Sequence, residues 1–131
     1  MTAFCLLNHE LTQKQRDELH STYGVETILQ PPEDVSRIWA QMPADRELNK
    51  NTIEKIIAWL SNGQAGSIVV VQGEFGATFA IVDYALKKGL VPIYAATKRI
   101  AKETRNGEKV HREYIFEHVR FRKYRQYSEL S

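Results

Sequence analysis

The stretch Ser67–Thr97, SIVVVQGEFGATFAIVDYALKKGLVPIYAAT, decides the fold of this chain. It opens with four apolar β-branched residues, Ile68 to Val71, a run typical of a strand buried on both faces of a parallel sheet. A turn with two glycines follows, and then a helical period that ends at Gly89. Val91–Ala95 predicts the next strand. The pattern therefore predicts a right-handed crossover between two parallel strands.

The glycine turn, Gln72 to Thr78, is the first candidate for chemistry. A strand that feeds a helix through glycines leaves backbone N–H groups unpaired at the positive end of the helix dipole, which favours phosphate. The spacing of Gly73 and Gly76 fits neither the dinucleotide fingerprint nor a P-loop. Two interpretations stay open: a phosphate site, or glycines that only permit a tight turn. Glu74 would repel an anion unless it points away or contacts sugar hydroxyls or a base.

The N-terminal half continues the alternation of strands and helices. Thr12, with Gln15 three residues later, predicts a capping box at the first helix. Asp45 is the predicted cap of the helix that ends at Ser61. On the helix after the glycine turn, the predicted apolar face includes Phe79. The predicted strands are 2–7 and 25–29, and the predicted helices are 12–23, 33–42 and 45–61.

The pattern of the C-terminal part predicts antiparallel strands. Asn106-Gly107, between the polar segments 98–103 and 109–117, is the strongest short signal for a hairpin. Residues 119–124 then alternate, which places Arg120, Arg122 and Tyr124 in one row. Such a row suits phosphates and a stacked base, and it equally suits an edge strand protected by charge. The fold class is therefore α/β: a Rossmann-like, mostly parallel sheet with flanking helices and a C-terminal hairpin or edge strand.

Composition narrows the function classes. The 131 residues predict one domain, 1–131, and no apolar run is long enough to span a membrane. The single cysteine, Cys5, lies in an apolar run, so we expect a core residue and a reducing, cytoplasmic location. The four histidines lack metal-ligand spacing, and neither a metal nor a cofactor is expected. Residues 98–125 carry ten Lys/Arg against four Glu. This surplus favours a polyanionic ligand, although a merely solvated surface is also possible.

Four segments resemble a small CRISPR-accessory family, one of the Csx families attached to type III loci and the twentieth in that naming series. They are Asn8–Thr12 (NHELT), Val71–Thr78 (VQGEFGAT), Gly89–Arg99 (GLVPIYAATKR) and His118–Tyr124 (HVRFRKY). The resemblance covers nearly the whole chain and implies a domain related to the CARF domains, usually dimeric. It further implies a ring nuclease, which binds cyclic oligoadenylates, chiefly cyclic tetraadenylate, and linearises them. No membrane and no long nucleic acid are expected as partners.

On this hypothesis the four-phosphate ring spans a two-fold dimer, and each subunit serves half of it. A ribose 2′-hydroxyl attacks the adjacent phosphorus without a metal, and His9 and Lys98 are the predicted catalytic residues. The surfaces available for the dimer contact are Ile38, Trp39 and the apolar side of helix 79–86, and the sequence does not separate core from interface among them. The predicted ligand-binding residues are Asn8, Gln72, Gly73, Glu74, Phe75, Gly76, Ala77, Thr78, Thr97, Arg99, Arg120, Arg122 and Tyr124.

Two other function classes compete with the enzyme. A non-catalytic protein that sequesters or senses the ring would share every binding feature, so the sequence alone does not separate it from a nuclease. An RNA-binding module is the third possibility, and it would normally present clustered aromatic residues on a sheet face. Outside the last strand the aromatic residues are scattered, so the RNA-binding module ranks third.

Overall fold

The computed structural model of the protein describes residues 1–131 and shows one five-stranded sheet with four α-helices. A short 3-10 turn, Tyr127–Glu129, closes the chain. The strands are β1 Thr2–Leu6, β2 Thr27–Leu29, β3 Ile68–Val71, β4 Val91–Asn106 and β5 Lys109–Lys123; the helices are α1 Gln13–Ser21, α2 Glu33–Ala40, α3 Lys50–Leu60 and α4 Phe75–Lys88.

The sheet has the order β2-β1-β3-β4-β5. The pairs β1–β2, β1–β3 and β3–β4 are parallel, and only the last strand runs antiparallel, against β4. The α/β, Rossmann-like class predicted from the sequence is confirmed, including the antiparallel C-terminal hairpin. All four residues of β3 are buried, because helices cover the sheet on both sides.

The two faces of the sheet are covered unequally. One face, which includes Leu6, Val69 and Val71, packs against buried residues of α2, α3 and α4. The other face, which includes Cys5 and Val70, packs against Leu19 of α1. This asymmetry leaves the outer strands poorly covered on the α1 side.

Helix boundaries follow local capping, with one correction. Thr12 and Gln15 form the predicted capping box, with both hydrogen bonds in place. The predicted cap Asp45 is wrong. Asn49 caps α3 through its side-chain oxygen, which accepts the Thr52 N–H. Residues 45–48 lie outside the helix.

The buried face of α4 also differs from the prediction. Ala77, Ile81 and Ala85 face the core, whereas Phe79 is 78% exposed. The helix is apolar almost all round, so its periodicity did not distinguish the two faces. Trp39, expected as a possible dimer contact, is 2% exposed and belongs to the core.

The long hairpin is the most unusual element. β4 and β5 pair from Ile93–Lys123 out to Asn106–Lys109, while β3 pairs with β4 only as far as Ile93. We call residues 97–118 the ribbon, because this part of the hairpin projects beyond the rest of the sheet. A register shift next to Ala96, which leaves Val119 unpaired, marks its root. The sequence predicted the turn but not the continuity of two strands of this length.

Two further expectations concern single features of the chain. Cys5 is 1% exposed and lies in the core, as predicted. None of the four helices has the length and apolarity that crossing a bilayer would require.

Candidate site at the carboxyl edge of the sheet

The strand order places a switch point between β1 and β3. The chain leaves β1 towards β2 on one side and leaves β3 towards β4 on the other. In open α/β sheets, ligands bind in the crevice outside the carboxyl ends of the strands at such a point. The Gln72 N–H donates to the Leu6 carbonyl at 3.2 Å, so the loops after β1 and β3 start side by side. The Asn8–His9 loop and the glycine turn are therefore brought together, as predicted.

Tight packing explains the first glycine of the turn. A Cβ at Gly73 would lie 2.6 Å from Cε2 of Trp39. The indole Nε1–H of that tryptophan donates to the Gln72 carbonyl at 3.1 Å. For Gly73, the interpretation as a structurally required glycine therefore holds, whether or not a ligand also approaches.

Glu74 caps α4 with its own side chain. Its carboxylate accepts the N–H of Gly76 at 2.7 Å and that of Ala77 at 3.3 Å. The expectation of unpaired N–H groups at the start of this helix is therefore wrong for these two residues. A Cβ at Gly76 would meet the Glu74 Oε1 at 3.3 Å, so this glycine accommodates the cap.

The other small residues of the turn point inward. The side chain of Ala77 is fully buried. The Thr78 hydroxyl is buried without a hydrogen-bond partner, and its backbone N–H donates to the Glu74 carbonyl. Neither side chain presents a polar group to the crevice.

Gln72 ties the site to the next strand. Its side-chain Oε1 accepts the Ala95 N–H at 2.8 Å, which leaves the amide nitrogen Nε2 as a donor near the crevice. Both its backbone groups and its side chain are thus fixed by β1, α2 and β4. The turn is held rigidly before any ligand arrives, which lowers the entropic cost of binding.

His9 lies exposed in the loop after β1, where the sequence placed it. Its Nδ1 lies 3.0 Å from the Glu10 carbonyl oxygen. Since a carbonyl can only accept, Nδ1 carries the proton, and in the neutral ring Nε2 has the free lone pair. Asn8 beside it is also exposed. The loop therefore offers one proton acceptor and one amide to the crevice.

Two phenyl rings flank the turn. Phe75 is 93% exposed and Phe79 is 78% exposed, and the four-residue spacing puts both rings on one face of α4. Large apolar side chains at these exposures normally meet a partner or a ligand. Phe75 was predicted as a ligand contact, whereas Phe79 had been assigned to the core.

The basic row of β5 lies two strands from the switch point. Arg120 and Arg122 are exposed, and they line a groove of about 780 Å³ that reaches the amino-terminal ends of β3 and β4. The Arg122 guanidinium lies 5.2 Å from the centre of the Tyr94 ring. These arginines are therefore not in contact with the glycine turn.

Tyr124 lies on the same row but is turned inward. Its hydroxyl donates to the Val71 carbonyl at 2.7 Å, and its ring lies 4.7 Å from that of Tyr94. Burial, followed by the neighbouring Tyr94, raises the pKa of the Tyr124 phenol to about 12. Its hydroxyl already has a partner, so the predicted contact of this tyrosine with a base is open only to its ring.

Thr97, Lys98 and Arg99 stand at the root of the ribbon, on the continuation of β4 past the carboxyl edge, and all three are exposed. Arg99 lies over the ring of Tyr114 at 4.4 Å. Lys98 is paired in register with Glu117 but makes no ion pair within 4.0 Å. Its ammonium group is free to meet an anion.

A buried polar cluster that was not predicted from the sequence fixes the direction of the ribbon. Glu18 Oε1 lies 2.6 Å from Nε2 of His118, and its Oε2 accepts the Phe121 N–H at 2.7 Å. Gln15 lies 3.4 Å from the other ring nitrogen of His118. The signal available was the polar pair Gln15 and Glu18 beside Leu19 on the inner face of α1. The cluster clamps α1 to both sides of the irregularity at Val119.

Comparison with known proteins gives a family and no assigned chemistry. Residues 1–122 match the family described as "Uncharacterized protein MJ1673 family". The "Uncharacterized protein MJ1673" of Methanocaldococcus jannaschii is 34% identical over 125 residues, which cover 95% of this chain and 97% of that protein. No solved structure matches the chain.

Proposed function

The chain belongs to the MJ1673 family, and from the geometry of its switch point we propose that it is a ring nuclease. In this proposal it binds cyclic tetraadenylate at the carboxyl edge of the sheet, across a homodimer, and converts the ring to a linear product. The observation that carries the proposal is that the Asn8–His9 loop and the rigid glycine turn start side by side at the switch point between β1 and β3.

The available groups suit an adenine nucleotide with a phosphodiester. The Gln72 amide and Asn8 supply donors and acceptors for base edges or ribose hydroxyls. The exposed ring of Phe75 supplies a stacking surface for adenine. Glu74 is turned back onto α4, so its charge does not project towards the phosphates. Lys98 and Arg99 supply countercharge to a ring with four phosphates, and Arg120 and Arg122, which do not contact the glycine turn, add only to the positive field around the hairpin.

The reaction needs one proton acceptor, one proton donor and alignment of the ribose 2′-hydroxyl with the adjacent phosphorus. The ribose 2′-hydroxyl attacks the adjacent phosphorus, the bond to the 5′-oxygen breaks, and a 2′,3′-cyclic phosphate and a 5′-hydroxyl remain. The lone pair on His9 Nε2 takes the proton of the 2′-hydroxyl, and a proton returns to the departing 5′-oxygen. Lys98 stabilises the extra negative charge of the phosphorane. Since the nucleophile belongs to the substrate, alignment supplies a large part of the rate.

Single-turnover cleavage of labelled cyclic tetraadenylate tests the proposal. His9→Ala should slow cleavage by about 10²–10⁴-fold while leaving ring affinity within a few fold. His20→Ala is the matched control, because His20 lies near the end of α1, where its imidazole contacts the Val25 carbonyl away from the crevice. Activity that is lost in EDTA and restored by Mg²⁺ or Mn²⁺ would refute the metal-free scheme.

Binding without cleavage would give a different result in the same assay. The exposed, open geometry of His9 is also what a protein that only sequesters the ring would have. In that case the wild-type protein would bind cyclic tetraadenylate tightly and release it intact. Failure of the wild-type protein to bind the ring at all would refute both functions.

A further inference from the structure

The ribbon carries apolar side chains that nothing in the chain covers. On its two faces Phe116 is 68% exposed, Val110 54%, Ile115 50%, Tyr114 46% and Ile100 38%. A two-stranded hairpin with no covering layer is only marginally stable in water. A ribbon with this composition is therefore expected to be covered in its working state.

One face of the ribbon has a symmetrical pattern, and we call it the ladder face. In the antiparallel register, Lys98 pairs with Glu117, Ile100 with Ile115 and Lys102 with Glu113. Cross-strand partners lie on the same face of a sheet. In these three pairs the ladder face has an isoleucine pair between two Lys–Glu pairs, with both lysines on β4 and both glutamates on β5. The outermost pair of the same face, Asn106 with Lys109, adds a third lysine at the tip.

We propose that the ladder face binds the ladder face of a second copy of this chain, with the two-fold axis running along the ribbon. This operation lays each β4 over the partner's β5. Ile100 then meets the partner's Ile115, and Lys102 meets the partner's Glu113. In the dimer without nucleotide, Lys98 likewise faces the partner's Glu117, so all four charge contacts are attractive; when the ring binds, the same ammonium group turns to the phosphate.

The charge pattern selects this arrangement over the other two-fold packing of the same face. An axis across the ribbon would lay β4 on the partner's β4, with Lys98 over the partner's Lys102. The glutamates would meet in the same way, and like charges in contact are unfavourable. The axis along the ribbon also leaves both domains at the same end. The proposal gives the homodimer of the proposed function its interface, and rests on that part of it.

The charged groups of the opposite face are already engaged within the chain, although Phe116 and Val110 on that face stay exposed. There Arg99 lies on Tyr114 at 4.4 Å, and Glu103 lies 4.0 Å from Arg112. On the ladder face Lys98 and Lys102 make no ion pair within their own chain, and Glu113 lies 3.0 Å from the imidazole of His111. The free lysines favour the ladder face as the interface.

Charge also argues for a protein rather than a nucleic acid as the occupant. Residues 97–118 carry six Lys/Arg and four Glu. Two of the four, Glu113 and Glu117, lie on the ladder face beside the isoleucines. They would repel a phosphate backbone, whereas they complement the lysines of a second copy.

The size of the surface sets the expected affinity. About ten residue pairs at roughly 3.3 Å each make the ribbon about 30 Å long, and two strands make it about 10 Å wide. One face therefore offers on the order of 300 Å², less than the roughly 800 Å² per partner of a standard interface. We expect a micromolar dimer, in which single charge changes are visible.

Sedimentation equilibrium between 1 and about 200 µM, without nucleotide, tests the interface in full-length protein. Lys102→Glu and Glu113→Lys each turn two attractive contacts per dimer into repulsive ones, so each should raise the dimer Kd by about tenfold or more. An equimolar mixture of the two variants should restore the wild-type Kd, because opposite charges meet again in the mixed dimer. Lys109→Glu, at the tip of the ribbon, is the control and should change little.

Restoration of the dimer Kd by mixing distinguishes a contact between two copies from an effect inside one hairpin, because mixing the variants does not repair a change within a single chain. A wild-type monomer at about 200 µM, unchanged Kd values in both variants, or no restoration in the mixture would each overturn the ladder interface. A second assay keeps the two proposals distinguishable. If the protein binds cyclic tetraadenylate as a dimer whose Kd the substitutions do not change, the ladder interface is refuted and the proposed function stands. If the substitutions change the dimer Kd as expected but the dimer does not bind the ring, the proposed function is refuted and the ladder interface stands.

Discussion

Replacing Gly73 by alanine should destabilise the protein through Trp39. The new Cβ would lie 2.6 Å from Cε2 and 2.7 Å from Cζ2 of that ring, whereas carbon atoms in contact normally lie about 3.5–4.0 Å apart. The indole would have to retreat by about 1 Å, although it is 2% exposed and closely surrounded. Gly73 does not have a positive φ, so steric overlap rather than backbone strain causes the effect.

Two terms set the magnitude of this destabilisation. Overpacking a core typically costs about 1–3 kcal/mol. The hydrogen bond from Trp39 Nε1 to the Gln72 carbonyl contributes about 0.5–1.5 kcal/mol and would be lost or stretched. Together they lower the free energy of unfolding by about 2–4 kcal/mol, which lowers the Tm of a chain of this length by about 7–15 °C.

Gly76→Ala is the matched control for the same turn. Its new Cβ would lie 3.3 Å from the flexible end of Glu74, which a small shift of the carboxylate relieves, and at an ordinary contact distance of 3.9 Å from Leu48 Cδ2. The site is helical with ordinary φ. Alanine there should leave the free energy of unfolding within about 0.5 kcal/mol of wild type or raise it slightly. Urea unfolding of both variants, followed by tryptophan fluorescence, makes the comparison. Equal stability of the two variants would refute the role given to Trp39.

Three further predictions concern single side chains. Glu74→Ala should lower the free energy of unfolding by about 1 kcal/mol, because the cap of α4 is lost; an unchanged urea midpoint would contradict this. Tyr124→Phe should cost about 0.5–1.5 kcal/mol, because the Val71 carbonyl loses its donor, while binding of cyclic tetraadenylate measured by fluorescence anisotropy should stay unchanged. Burial raises the pKa of the Cys5 thiol from 9.0 to about 11, so Ellman's reagent at pH 8 should label it only after unfolding. Since the unfolded thiol ionises first, its contribution to stability is complete below pH 9 and is lost as the pH rises towards 11.

The sequence predicted what depends on local chemistry. The β-branched run of β3, the capping box at Thr12 and the Asn106-Gly107 turn all act over a few residues, and each prediction is confirmed. The parallel order of the central strands followed because a crossover has one hand.

Contacts between segments that are far apart in the chain could not be predicted from the sequence. The need for glycine at position 73 comes from Trp39, which is 34 positions earlier in the chain. The cluster of Glu18 and His118 joins residues 100 positions apart. Phe79 was misplaced because α4 is apolar on several sides, so only the packing of Ala77 against the sheet fixes its orientation.

At the candidate site, the position of the loops in the fold could be predicted from the sequence, whereas the hydrogen bonds of individual side chains could not. It placed His9 and the glycine turn at one edge of the sheet, and in the structure the two loops that carry them start there from adjacent strands. The prediction of unpaired N–H groups at the start of α4 was wrong for Gly76 and Ala77, because whether the Glu74 carboxylate turns back onto the helix depends on a rotamer that composition does not set.

The sheet order has a consequence for synthesis of the protein. β1 pairs with β2 on one edge and with β3 on the other, and Ile68 follows Leu29 by 39 positions. At about 5–20 residues per second, a ribosome makes β1, α1 and β2 about 2–8 seconds before it makes β3. During that interval the apolar strand Ala3 to Leu6 has one open edge in the nascent chain. An open apolar strand edge is where chains pair wrongly with one another, so the order of synthesis leaves β1 exposed to such pairing until β3 is made.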